Sequence, residues 1–174
     1  GGEIITHLLN LCNFEVFRGG SSKGKSRRKK ILSKFIEFLR NVESGMVGLT
    51  VDGSSGPIYS MKTGGIVMAK ELGIPIFLVR IWYKRKILLP TWDRTLFPLP
   101  FNQISILVDG PYYVPKECDD SDEKFKEFCN FIQGRLLQLA YKSFIIVDGK
   151  ANEELLSKFP EDWKPDEDEN VESK

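Results

Sequence analysis

A stretch of glycine, serine and lysine near the start of the sequence has the residue types and spacing needed to bind phosphate. Gly19–Ser26 reads Gly-Gly-Ser-Ser-Lys-Gly-Lys-Ser and satisfies the pattern G-x-x-x-x-G-K-[ST]. In such a loop the backbone N–H groups surround nucleotide phosphates, Lys25 reaches the terminal ones and Ser26 holds magnesium. Asp52, which follows a later apolar segment, could orient that metal ion. This spacing keeps open a nucleotide-binding phosphotransferase.

A second loop suggests that the two loops serve one ligand. Asp52–Pro57 reads Asp-Gly-Ser-Ser-Gly-Pro and follows the apolar segment Met46–Val51, as Arg18 follows Phe14–Phe17. Ligands of open α/β sheets bind beyond the carboxyl ends of the strands, so we expect Arg18 and Asp52 to converge on one anionic ligand. The simpler alternatives are a salt bridge for Arg18 and a turn in which Asp52 bonds its own backbone.

The charge distribution also indicates a phosphate-bearing partner. The sequence has 25 Lys+Arg and 24 Asp+Glu, a net charge of +1, but Arg18–Arg40 holds nine basic residues and one acidic residue. The residues from Ala151 onward are instead acidic. A basic segment of this kind fits a lipid headgroup, a nucleotide, a coenzyme or nucleic acid, and a solvated helix face is the plain alternative.

Thiol and metal chemistry are not expected. The three cysteines are an odd number and form no Cys-x-x-Cys pair, which argues against a disulfide scaffold and against a zinc site. His7, the single histidine, lies five residues before Cys12, and that spacing does not place the two side chains on one face of a helix. We therefore predict no metal site, no bound cofactor and no catalytic residue from this pair.

The elements that must position these loops can be predicted from hydrophobic periodicity. The fold class expected is α/β, with a mostly parallel or mixed sheet flanked by helices. Residues 1–150 form the α/β domain and residues 151–174 an acidic, largely disordered tail. No window of about 18 apolar residues predicts a membrane-spanning helix. The predicted helices are Glu3–Cys12, Ser26–Glu43, Gly64–Leu72 and Asp122–Tyr141. The predicted strands are Phe14–Phe17, Met46–Val51, Ile76–Trp82 and Ile104–Val108, with Lys84–Phe101 as a long loop and Phe144–Val147 as a last strand or a packed extension.

The order of short motifs resembles the lysophospholipid acyltransferase-like family, in particular an uncharacterised bacterial branch related to the glycerophosphate acyltransferases. The resemblance runs from about Gly2 to Pro115. Its segments are Gly2–Ile5, Phe14–Ser22, Thr50–Pro57, Met61–Ile66, Gly73–Ile76, Thr91–Arg94 and Pro98–Phe101. Its more specific part is Trp-Asp-Arg followed by Pro-x-Pro-Phe, in order with the other segments.

The resemblance implies an acyl transfer from a coenzyme A or acyl carrier protein thioester to a hydroxyl of a phosphate-bearing lipid precursor. It also implies the cytoplasm as location, with a peripheral position at the inner face of the membrane, and it implies no nucleic-acid partner. The substrate-binding residues it implies are Arg18, Gly19, Ser21, Ser22, Asp52, Gly53, Ser55, Gly56 and Lys62. The family often has an arginine where Ser55 stands, so anion binding by the second loop departs from the family pattern.

The histidine motif of the family is absent from these 174 residues. In the family, a histidine five residues before an aspartate is the general base, whereas Cys12 occupies the aspartate position relative to His7. We therefore expect this chain alone to be inactive. The readings that stay open are an acyltransferase lacking its amino-terminal motif, a non-catalytic lipid-binding relative, and the phosphotransferase that would use Lys25 and Ser26.

Overall fold

In this computed structural model the chain divides into two units, Gly1–Met46 and Val47–Lys174. The regular structure of the first unit, as far as its residues are described, consists of two helices. The structure describes residues 2–16, 25–43, 45–53, 56–116 and 122–166. Helix α1 spans Gly2–Leu11 and helix α2 spans Lys25–Arg40. After α1 the chain turns through Asn13, at φ 62°, and the Phe14 N–H bonds back to the Leu9 carbonyl at 3.0 Å. This helix-terminating turn leaves residues 14–16 irregular where a strand was predicted.

The second unit is built around one long hairpin and one long helix. Its elements are α3 (Gly64–Leu72), β1 (Ile76–Tyr83), β2 (Lys86–Leu88), β3 (Leu96–Pro98), β4 (Ile104–Tyr112), α4 (Glu123–Asp148) and α5 (Glu153–Leu156). Strand β1 pairs antiparallel with β4, and β2 pairs antiparallel with β3. Helix α4 packs on both β1 and β4.

Two hydrophobic clusters hold these elements together. Strand β1 contributes one buried side chain to each cluster, because alternate side chains of a strand point to the same face. Leu78 and Trp82 lie on the face of β1 that packs toward α4, where they are 4% and 1% exposed. Leu78 belongs to a cluster with Ile66 of α3 and Ile132 of α4. Trp82 belongs to a second cluster with Phe144 of α4 and with residues that follow α4. The opposite sheet face is apolar and exposed; its residues are Phe77, Val79, Ile81, Ile104, Ile106 and Val108.

The chain is thus a mixed α/β protein, and its described strands pair in the antiparallel direction. The segment between β1 and β4, predicted as a loop, folds back as the hairpin of β2 and β3, which returns the chain beside β1 in the opposite direction. A parallel pair would need a crossover of a dozen or more residues, usually a helix. The predicted strand Met46–Val51 does not form: residues 45–50 are irregular, no strand of the described residues pairs with them, and Met46 is 95% exposed.

The residues after position 150 take part in the core of the second unit. Helix α5 begins after Asn152, whose side-chain oxygen accepts a hydrogen bond from the Leu155 N–H at 3.1 Å. Leu155 and Phe159 are buried in the cluster around Trp82, and Trp163 packs against it. The predicted acidic tail therefore begins with a packed segment, while residues 167–174 lie outside the described residues. Among the described helices, none combines the length and the hydropathy that a membrane crossing requires.

Candidate functional site

The predicted substrate-binding residues divide into two groups by what the structure describes. Arg18, Gly19, Ser21, Ser22 and Ser55 lie outside the described residues, so the predicted convergence of Arg18 with Asp52 stays a prediction. Asp52, Gly53, Gly56 and Lys62 are described, and all four lie in the second unit. The candidate site is therefore built from this second group.

Asp52 lies in a turn that returns the chain to Lys62. Gly53 has φ 72°, a conformation that favours glycine, and the Lys62 N–H donates to the Val51 carbonyl at 2.6 Å. The Lys62 side chain crosses the open face of Gly53, with its Cγ 3.6 Å from the position a Cβ would occupy there. The half-buried Asp52 carboxylate and the exposed Lys62 thus belong to one small surface, which offers an acceptor and a cation.

The second glycine of the loop contacts the tip of the β2–β3 hairpin. Gly56 is buried, has φ 67°, and lies directly against the indole of Trp92. A Cβ at position 56 would stand 2.7 Å from both Cε3 and Cζ3 of Trp92, so no larger residue fits without movement. Gly56 and Trp92 are 36 residues apart in the sequence, and their contact joins the motifs Asp-Gly-x-x-Gly-Pro and Trp-Asp-Arg. Trp92 keeps 48% of its surface exposed beside the loop.

The other two residues of the Trp-Asp-Arg motif hold the hairpin tip in shape. Asp93 accepts hydrogen bonds from the Thr95 hydroxyl at 2.8 Å and from the Thr95 N–H at 3.3 Å. Hydrogen bonds from Thr91 and Thr95 lower the pKa of Asp93, although partial burial opposes them. Arg94 forms an ion pair with Glu154 of α5. The motif thus ties the tip to the second unit and leaves Trp92 against Gly56.

The segment that follows the loop is fixed by α4. The side-chain oxygen of Gln133 accepts from the Met61 N–H at 2.7 Å, and its nitrogen donates to the Tyr59 carbonyl at 2.9 Å. Tyr59, the first of these two anchored residues, has φ 61°, which is an outlier for an aromatic residue. Strained conformations of this kind persist only where several contacts enforce them, and they concentrate at functional sites.

Tyr59 reaches a cation on the inner face of the sheet. Arg80 of β1 donates from Nη2 to the Tyr59 hydroxyl at 3.4 Å and from Nε to Ser143 Oγ at 3.4 Å. Burial raises the pKa of the Tyr59 phenol, Arg80 lowers it, and the negative charge of Asp52 raises it further. The phenol therefore stays protonated at neutral pH, and Asp52 is close enough to be felt electrostatically.

Sequence reasoning missed Tyr59, Arg80 and Gln133 as members of this site. The signal for Arg80 is present in the sequence, because it interrupts the run Ile-Phe-Leu-Val-Arg-Ile-Trp in a strand with a buried face. Gln133 gave no such signal, since its two backbone partners lie 72 and 74 residues away. Within the described ranges no three His, Cys, Asp or Glu side chains gather as a metal site would require.

Comparison with known proteins gives one distant likeness. The chain is 25% identical over 115 residues to the uncharacterized protein RP090 of Rickettsia prowazekii (strain Madrid E), an alignment that covers 63% of this chain. It covers 48% of the Rickettsia protein, so the chain spans about half the length of the relative it matches. No protein-family model matches the sequence, and no solved structure matches it. The chain is thus similar to a protein of unknown activity, and the site must be interpreted from its own chemistry.

Proposed function

We propose that this chain is the substrate-binding part of an acyltransferase-like protein that acts on a phosphate-bearing lipid precursor. One observation carries the proposal: Gly56 and Trp92 are in contact, so two motif segments of the acyltransferase resemblance form one surface in the second unit. Asp52 offers that surface an acceptor for a substrate hydroxyl, and Lys62 offers it a positive charge for a phosphate.

The proposed reaction is the transfer of an acyl group from a thioester to an alcohol. The substrate oxygen forms a bond to the thioester carbonyl carbon, the C–S bond breaks, and the hydroxyl proton ends on the released thiol. A general base must take that proton during attack, and the family uses a histidine followed by an aspartate five residues later. The 174 residues contain no such pair, so we propose that this chain binds the acceptor without turning it over.

The donor that we propose is an acyl coenzyme A or an acyl carrier protein thioester, and the proposed location is the cytoplasmic face of a membrane. The hairpin supports a membrane-facing position, because Trp92, Phe97 and Phe101 are exposed there next to Arg85. Aromatic and basic side chains together are typical of a lipid interface.

Binding and turnover by the purified chain test the proposal. Acceptor binding is measured by calorimetry with sn-glycerol 3-phosphate and with lysophosphatidate, and turnover by thiol release from palmitoyl coenzyme A. We expect binding without thiol release, and weaker binding in Asp52→Asn and Lys62→Gln. Asp162→Asn, which changes an exposed aspartate elsewhere in the second unit, serves as the control. Absence of acceptor binding, or turnover that survives His7→Ala, would contradict the proposal.

Two further measurements separate the alternatives. If the reading frame upstream of Gly1 encodes His-x-x-x-x-Asp, its longer product should release thiol only when the acceptor is present. A non-catalytic lipid-binding relative would bind the acceptor and release none. Protection of the chain by ATP against thermal unfolding, lost in Lys25→Ala, would instead support the phosphotransferase; α2 begins at Lys25, the position at which a nucleotide loop would pass into its helix.

A further inference from the structure

Arg80 differs from Arg135 and Lys86, two other half-buried cations of the second unit, because no carboxylate of the described residues pairs with it. Arg135 bonds Asp109 at 2.8 Å, and Lys86 bonds Asp148 at 2.8 Å. Within the described ranges no carboxylate oxygen lies within 4.0 Å of the Arg80 guanidinium, although Arg80 is half-buried between Leu78 and Trp82. A charged side chain that is removed from water is normally paired with an opposite charge, so the half-buried Arg80 guanidinium is unusual.

The surroundings of Arg80 leave hydrogen-bond donors in excess. Three aromatic rings stack around the guanidinium, with centroids at 4.8 Å for Trp82, 5.7 Å for Phe144 and 5.8 Å for Tyr59. Its two hydrogen bonds, to Ser143 and Tyr59, are both 3.4 Å long, at the weak end of the range, and a guanidinium has five N–H groups. The Tyr59 hydroxyl accepts from Arg80, and among the described residues nothing accepts its own proton.

Tyr59, one of these two donors, follows closely after the loop Asp52–Pro57 that was identified from the sequence. Tyr59 follows Gly56 by three residues, and Gln133 holds its carbonyl and the Met61 N–H two residues later. Asp52 precedes Tyr59 by seven residues in the same segment, and its negative charge raises the pKa of the Tyr59 phenol. A forked cation and a phenol O–H next to a carboxylate suit a ligand that carries both an oxyanion and a hydroxyl.

We propose that the Arg80 guanidinium and the Tyr59 hydroxyl bind the phosphate of a phosphomonoester whose hydroxyl group is held by Asp52. The assignment of the hydroxyl to Asp52 rests on the proposed function, whereas the phosphate site rests on the donors alone. A phosphate fits better than a carboxylate because the guanidinium fork occupies two oxygens and the phenol takes a third. Inside an aromatic surround, each of these bonds is stronger than it would be in water.

Titration of the full chain with inorganic phosphate at constant ionic strength tests the site, with ³¹P NMR or calorimetry as the readout. We expect Arg80→Gln to weaken phosphate binding about tenfold or more. Arg80→Lys keeps the charge but loses the fork, and should also bind more weakly than the unchanged chain. The control is Lys150→Gln, which removes one positive charge from an exposed position just after α4 and should leave the affinity unchanged.

Tyr59→Phe keeps the test decisive where Arg80 variants fail to fold. This substitution keeps the ring that packs at 4.7 Å from Phe159 and removes only the hydroxyl, and we expect it to weaken phosphate binding several-fold. Tyr113→Phe, at an exposed tyrosine, is its control. Phosphate affinity that is equal in the unchanged chain and in Tyr59→Phe and folded Arg80→Gln would overturn the proposal, as would the absence of phosphate binding by the unchanged chain.

Two comparisons separate this site from the proposed function and identify the source of the phosphate. Arg80-dependent phosphate binding without any acyl transfer by the longer product would leave the site standing and remove the function. Acyl transfer by the longer product with a KM for the acceptor that Arg80→Gln leaves unchanged would support the proposed function and refute the phosphate site at Arg80. Binding of dissolved sn-glycerol 3-phosphate assigns a soluble ligand, and Arg80-dependent binding only to phosphatidylcholine vesicles that contain lysophosphatidate assigns a lipid headgroup; both support the site.

Discussion

Gly56 is the residue at which one added methyl group would meet the indole of Trp92. The added Cβ would stand 2.7 Å from two indole carbons, and φ 67° is unfavourable for alanine. We expect Gly56→Ala to lower the free energy of unfolding by about 1–3 kcal/mol, measured by urea denaturation. Gly134→Ala is the control: nothing lies within 4 Å of its Cβ, and it should stabilise α4 by about 0.5–1 kcal/mol. Equal stability of Gly56→Ala and the unchanged chain would contradict the Gly56–Trp92 contact.

Gln133 is the residue that fixes the segment after the loop, and its two hydrogen bonds can be separated by substitution. Gln133→Met leaves the Met61 N–H and the Tyr59 carbonyl without their partner, so we expect a loss of about 1–2 kcal/mol in unfolding free energy. Gln133→Glu keeps the acceptor and loses the donor, and should lose less. Gln103→Met, at an exposed position, should change little. Denaturation curves that coincide for Gln133→Met and Gln103→Met would argue against this anchor.

At the residue scale, sequence reasoning found the parts of the site that have a local signature. Asp52, Gly53 and Gly56 share one short motif, and Trp92 belongs to another, so each could be singled out from its neighbours. That Gly56 and Trp92 touch was not predicted, because the contact depends on how the hairpin folds back. The role of Arg80 likewise depends on Ser143 of α4, 63 residues away. The role of Gln133 on α4 depends on Tyr59 and Met61, which lie 74 and 72 residues away.

At the scale of elements, the helices were the most predictable part. The prediction Gly64–Leu72 matches the bounds of α3, and Asp122–Tyr141 was too short because Phe144–Val147, predicted as a strand or an extension, continues α4 to Asp148. An apolar tetrapeptide fits a strand and a buried helix face equally well, and Phe144 is 0% exposed in the core. Sheet direction could not be predicted, because it depends on how the segment between β1 and β4 folds.

The packing of α4 on β4 includes an ion pair whose stabilisation depends on pH. Burial alone would raise the pKa of Asp109, but hydrogen bonds from Arg135 and Tyr112 outweigh it and lower that pKa. A depressed pKa means that the stabilisation is present above the ordinary aspartate pKa, about 4, and is lost as the pH falls through the lower folded value.

Substitution of Asp109 should therefore change the acid dependence of stability. We expect the unchanged chain to lose more unfolding free energy between about pH 5 and pH 2 than Asp109→Asn does, as measured by urea denaturation at each pH. Asp162→Asn, which lies in an exposed turn, should follow the unchanged chain. A parallel acid dependence in Asp109→Asn and the unchanged chain would show that the Asp109–Arg135 pair does not contribute.

At the scale of the whole molecule, both hydrophobic clusters lie in the second unit. Their buried members run from Ile66 to Phe159, and none of the described residues before Val47 is among them. The candidate site described above lies in the same unit, since Asp52, Tyr59, Arg80, Trp92 and Gln133 all follow Val47. Stability and ligand binding should therefore belong to the same part of the chain.

A fragment of residues 47–174 tests that conclusion. Because it retains both clusters, we expect cooperative unfolding in urea, followed by circular dichroism, with a midpoint close to that of the main transition of the full chain. Phe144→Ala in the same fragment should abolish the transition or lower its midpoint strongly, since truncation of a fully buried phenylalanine costs about 3–5 kcal/mol. A fragment that unfolds without a transition would mean that residues 1–46 contribute to the stability of the second unit, and phosphate binding would then have to be studied only in the full chain.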